Sequence, residues 1–209
     1  MDYSTYEDTV HRSVVKSSPD GRTIAITQTI PAEISTVWDA VTKPDRLEKW
    51  YAPVAGDLRL NGHYSITGNA SGTITACSAP HGFALTWEFC EGKSTVAVDL
   101  APSSNGNENS TSVTLKHAFD VDDHWRKYGP GAGGVGWDMS LLGLMLFVKG
   151  LPKPSEEEWM ASKEAAAFTE KSSYAWMEAA QRAGEDEPWA KEAAERTTAF
   201  YVPGWEPKK

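Results

Sequence analysis

The sequence predicts an α+β fold, a run of short antiparallel strands with one apolar face, bracketed by helices. Three observations carry this. Between residues 56 and 119 apolar side chains recur at every second position, which is the period of a half-buried strand. Residues 31 to 50 and 137 to 148 instead carry helical spacing. Beyond Pro152-Lys153-Pro154 the chain becomes rich in Ala, Glu and Lys, with helix caps in place.

The elements follow in order. Residues 11 to 16 and 22 to 30 read as two strands joined by the turn Ser18-Pro19-Asp20-Gly21, with Ile24, Ile26 and Ile30 on one face. Pro31 opens a helix whose Ile34, Val37, Trp38 and Val41 form one stripe, and Pro44 ends it. Asp45 is placed to cap a second short helix carrying Leu47 and Trp50. The strands of the meander are read at 58–60, 63–67, 72–79, 83–89, 95–100 and 111–119. Phe83, Leu85, Trp87 and Phe89 share a face, as do Val96, Val98 and Leu100, and as do Val113, Leu115, His117 and Phe119. Residues 103 to 110 form a polar hairpin loop. Residues 129 to 136 are read as a flexible glycine-dense loop, and 137 to 148 as a helix apolar nearly all round, which needs cover on both sides. Ser155 with Glu158 makes a capping box for a helix running to about residue 183 and stopping at Gly184. A last helix follows Pro188, with Ala190, Ala193, Ala194 and Thr197 on one face. The expected organisation is one domain over 1–150 and a helical extension over 151–209 that packs on the same core or forms a homodimer contact.

Charge narrows the function. Twenty Lys plus Arg stand against 29 Asp plus Glu, a net charge of −9 spread along the whole chain. Binding to nucleic acid or to an anionic membrane is disfavoured. No run approaches the roughly 20 apolar residues that span a bilayer, and the polar, acidic start has no signal-peptide character. A cytoplasmic protein is expected. The two cysteines, Cys77 and Cys90, fall on neighbouring strands too far out of register to bridge, so free thiols are expected.

Taken together, several short motifs resemble the START-like (SRPBCC, helix-grip) superfamily, in the branch related to activators of heat-shock protein 90 ATPase. They are Pro31-Ala32-Glu33 with Val37-Trp38-Asp39-Ala40-Val41-Thr42, Pro44 with Leu47 and Trp50, and Gly56-Asp57 with Arg59 and Gly62. Gly72 with Ile74, Pro80 with Leu85 and Trp87, Thr114 with His117, and Gly136-Trp137 with Leu141 and Leu144 complete the set. Asn61 departs from a glycine usual in the family, and the glycine loop is enlarged. The tail after 150 resembles C-terminal helices of some bacterial members. The resemblance implies an antiparallel sheet curved around a long helix, with a cavity between them that holds an apolar or amphipathic small molecule. It implies no reaction, because a fold does not fix a function.

On this reading the ligand-binding candidates are Trp50, Tyr64, Phe83, Trp87, His117, Phe119, Trp137 and Leu141. Plain core filling by the same residues is the competing reading. His117 is the polar candidate, since alternation turns it inward. A cyclase-like or hydrolase-like enzyme using His117 as acid or base is one alternative, though the sequence shows no partner for it. A modulator of an Hsp90-type ATPase is another. No catalytic residue, metal or cofactor is expected. His117, Asp120, Asp122, Asp123 and His124 are close in sequence, but a solvated acidic loop is the expected reading. Gly131, Gly133 and Gly136 spell GxGxxG without the preceding strand that a dinucleotide site needs, so they are read as a mobile lid.

Overall fold

The computed structural model describes Tyr6 and residues 9–103 and 109–207. The expected loop at 103–110 lies mostly outside them. The strands are β1 (His11–Lys16), β2 (Gly21–Ile30), β3 (Val54–Gly56), β4 (His63–Ile66), β5 (Ser71–Ser78), β6 (Gly82–Phe89), β7 (Gly92–Pro102) and β8 (Thr111–Asp120). The helices are α1 (Ile34–Thr42), α2 (Pro44–Trp50), α3 (Asp123–Tyr128), α4 (Gly131–Val148), α5 (Glu156–Met160), α6 (Lys163–Arg182) and α7 (Glu187–Tyr201). The strands form one eight-stranded sheet in the order β1-β2-β8-β7-β6-β5-β4-β3. Each ladder from β3 to β8 is antiparallel. The chain is α+β, as the periodicities predict.

Contacts divide the chain into two compact units. The first comprises Met1–Ile26, Asp120–Met139 and Pro154–Lys209, and the second comprises Thr27–Phe119 and Ser140–Lys153.

In the first unit a buried carboxylate joins three stretches of chain. Asp138 on α4 is fully buried and paired with Arg12 of β1, whose Nη2 donates to its Oδ1 at 2.6 Å and whose Nε lies 3.0 Å from its Oδ2. Ser172 Oγ and Trp176 Nε1 of α6 donate to the same Oδ2 at 2.6 and 2.8 Å. Burial pushes the Asp138 carboxyl up, and Arg12, Ser172 and Trp176 pull it back down. Arg22 and Glu185 pair at 2.9 Å. The indole of Trp189 donates to the Arg126 carbonyl at 2.9 Å, and Thr197 Oγ1 donates to that of Tyr128.

In the second unit the inward sheet face is set by register. Phe83 stands opposite Val98, which stands opposite Leu115; Leu85 stands opposite Val96, which stands opposite His117. Val96, Val98, Leu100, Val113 and Leu115 are buried. Each such burial removes apolar area worth roughly 1.5–3 kcal/mol from water. Trp38 of α1 meets Phe83 edge-on at 6.2 Å, so α1 covers this face. Trp50 of α2 donates its indole N–H to the Ala40 carbonyl at 2.9 Å and so ties α2 to α1. Gly143 of α4 gives the close approach to α2, because a Cβ there would lie 3.0 Å from the Trp50 carbonyl oxygen.

The structure corrects five expectations. Residues 131 to 136 are the first turns of α4 and not a loop, so they form no mobile lid. Here the glycines allow close packing: a Cβ on Gly134 would sit 2.3 Å from the Trp176 ring, and one on Gly131 would sit 3.0 Å from Thr197 Cγ2. Residues 123 to 128 form helix α3, capped by Asp122 through the Trp125 N–H, where a strand end or loop was expected. The helix expected from 155 to 183 is two helices, because Ser162 caps a new start at Lys163 by accepting from the Ala165 N–H. Residues 58 to 60 lie in a turn, and the strand there is β3. Asn61 in that turn has φ +63°, which explains the departure from the family's glycine: asparagine is among the few other residues that take this conformation readily. Finally, α4 is long and apolar enough to cross a membrane by length and composition, contrary to the expected absence of such a run. More than half of it is buried inside the protein, as a core helix is.

Candidate functional site

The inward face of the second unit is not closed evenly. On β7 the inward Val96 and Val98 are 3% and 7% exposed. On the neighbouring β6 the inward Phe83, Leu85 and Trp87 are all only half-buried, and so are His117 and Phe119 at the end of β8. The result is a strip of aromatic surface that remains reachable beside a packed apolar wall.

Its rings lie close together. The Trp87 and His117 rings are 6.1 Å apart and tilted, and His117 meets Phe119 edge-on at 5.3 Å. Such arrangements suit the ring quadrupoles. His117 Nε2 lies 2.8 Å from Ser94 Oγ, and Ser94 Oγ lies 3.2 Å from the Trp87 carbonyl oxygen. The hydroxyl has one proton. That proton lies either on the carbonyl, with Nε2–H donating to Ser94, or on an unprotonated Nε2, and the two arrangements correspond to the two neutral tautomers of His117. Burial pushes the imidazole down to about 4, so it is uncharged at neutral pH.

Tyr64 is buried on β4 opposite Gly72 of β5. With no side chain at 72, the Tyr64 hydroxyl reaches as far as β6 and donates to the Thr86 carbonyl at 2.8 Å. Burial raises its phenol above the ordinary value, and Tyr51 and Glu88 add to this. Burial likewise pushes the Tyr51 phenol up to about 12.

Of the residues singled out from sequence, Trp87, His117 and Phe119 form one ring cluster, with Phe83 on the same face. Tyr64 lies across β5 from β6. Trp50 is 6% exposed and holds α1, and Leu141 of α4 is 4% exposed. Trp137 belongs to the first unit and is 9% exposed. Ser94 is the residue that sequence reasoning missed. A polar residue at an inward position of β7, one register step beyond Val96, was the available signal. Among the described residues no three His, Cys, Asp or Glu are placed to hold a metal ion. Cys77 and Cys90 are both free and exposed.

An eight-stranded antiparallel sheet with a long helix and C-terminal helices defines an α+β protein of the helix-grip class. The chain belongs to the family described as Activator of Hsp90 ATPase homolog 1-like protein, whose model matches residues 31–146. The crystal structure of CalU16 from Micromonospora echinospora is 28% identical, with a TM-score of 0.65, and covers 81% of this chain and 97% of CalU16. Its solution structure gives 29% identity, a TM-score of 0.67, and coverages of 83% and 96%. An Hsp90 activator from Plasmodium falciparum is 24% identical at a TM-score of 0.51, covering 63% of this chain and 99% of that one. No curated protein matches the sequence.

Proposed function

We propose that the second unit binds an apolar small molecule on its inward sheet face and catalyses no reaction on it. The observation that carries this is the exposure pattern: Phe83, Leu85, Trp87, His117 and Phe119 stay half-buried beside buried valines. Apolar walls with a few placed polar groups are the usual make-up of a ligand site. A catalytic role for His117 is not supported. An imidazole held near 4 is a weak base at neutral pH. Glu88 is engaged with Lys93, which stands opposite it on the outward face, at 3.1 Å.

Native mass spectrometry of the protein as purified, before and after extraction with organic solvent, tests the reading. A discrete small-molecule adduct that Trp87→Ala loses is the expected result. A bare mass, with no uptake from a panel of apolar compounds, would contradict it. The family's description favours a second reading, modulation of an Hsp90-type ATPase. If ligand binding is the role, the same preparation leaves the ATPase rate of its cognate chaperone unchanged.

A further inference from the structure

The inward face of the second unit is notable for the side chains it lacks. From β4 to β8 its described inward positions carry no Lys, Arg, Asp or Glu. The charged residues of these strands lie on the other side, where Lys93 pairs with Glu88 and Lys116 pairs with Asp99 at 2.9 Å. The segment of α4 within this unit is uncharged up to Val148. On α1 the single charge, Asp39, is paired with Lys43 at 2.7 Å. The ionisable groups at inward positions are His117, the Tyr64 phenol and, at the exposed end of β5, Cys77. Burial keeps His117 neutral and the Tyr64 phenol protonated.

We infer that the site selects uncharged, planar, ring-bearing molecules and rejects anionic amphiphiles of the same shape, fatty-acid-like carboxylates included; this rests on the ligand-binding reading above. The attraction comes from Trp87, His117 and Phe119, whose rings lie 5.3–6.1 Å apart in tilted and edge-on arrangements that favour a further ring. The rejection comes from desolvation. An ionised group brought onto this face loses its water and meets no opposite charge from the inward sheet positions, α1 or the α4 segment, which costs far more than a neutral polar group's burial. The amphipathic ligand that the fold class allows is thereby narrowed to a neutral aromatic one.

Two probes share one ring skeleton and differ by a charge: neutral N-phenyl-1-naphthylamine and anionic 8-anilinonaphthalene-1-sulfonate. Fluorescence titration of the full chain with each should give a dissociation constant at least about tenfold lower for the neutral probe. Because a neutral probe is also the greasier one, the ratio is then measured in His117→Lys and Phe119→Lys, each confirmed by cooperative thermal unfolding. Either lysine places a cation on the face and should move the ratio at least about tenfold toward the sulfonate. Equal binding of both probes to the wild type, or a ratio that neither folded lysine variant moves, overturns the selection while leaving ligand binding intact. If neither probe nor any other apolar compound binds, the ligand-binding reading itself is overturned, and this inference with it.

Discussion

His117 illustrates how neighbours decide what one side chain can do. Alternation along β8 places it inward, and that much was legible in the sequence. Its partner was not, because Ser94 lies on another strand, 23 positions away. Strand pairing brings the two within hydrogen-bond distance, and periodicity alone does not give the register of that pairing. The neutral imidazole has a consequence for stability. In the folded protein it titrates near 4, and in the unfolded chain near 6.5. The unfolded state therefore takes up the proton first, so the contribution is complete above about pH 6.5 and is lost as the pH falls toward 4. The shift corresponds to roughly 3 kcal/mol at most. Urea unfolding of the wild type and His117→Phe across this range is expected to show the wild type losing more stability, by up to that amount. Parallel curves would mean that the imidazole is not held neutral by burial.

At the scale of elements, the start of α4 is where sequence and structure part. Glycine costs about 1 kcal/mol relative to alanine inside a helix, so Gly131-Ala-Gly133-Gly-Val-Gly136 reads as a loop. Tertiary packing overrides that preference. The Trp176 ring, itself fully buried, occupies the space where a Gly134 Cβ would stand. Gly134→Ala should thus destabilise the protein although alanine is the better helix former, because that ring has no room to retreat. Asp138→Ala should cost more, about 3–5 kcal/mol, since it leaves the 5%-exposed Arg12 guanidinium without its carboxylate. Equilibrium unfolding measures both, and a loss below about 1 kcal/mol for Asp138→Ala would show that Arg12 finds another partner. The Asp138 network could not be read beforehand, because its members, Arg12, Asp138, Ser172 and Trp176, come from three separate stretches of chain. The capping box at Ser155, by contrast, is local and was legible.

Across the whole molecule, the meander, its inward face and the flanking helices followed from periods of two and 3.6. The division into two units did not follow as a whole: one break falls within Pro152-Lys153-Pro154, but the others cut the middle of β2 and of α4 and the end of β8. The nine tryptophans follow that division. Trp125, Trp137, Trp159, Trp176, Trp189 and Trp205 belong to the first unit, and Trp38, Trp50 and Trp87 to the second. Of the last three, Trp87 is the one carried by the sheet. Each indole N–H gives its own nitrogen-labelled signal, so the tryptophans can report where a ligand sits. The most direct test titrates the labelled protein with N-phenyl-1-naphthylamine and follows those signals. The expected result is a saturable shift of the Trp87 signal, lost in Trp87→Phe, while those of Trp125 and Trp176 stay fixed. A Trp87 signal that does not move while tryptophans of the first unit respond would contradict the placement of the site.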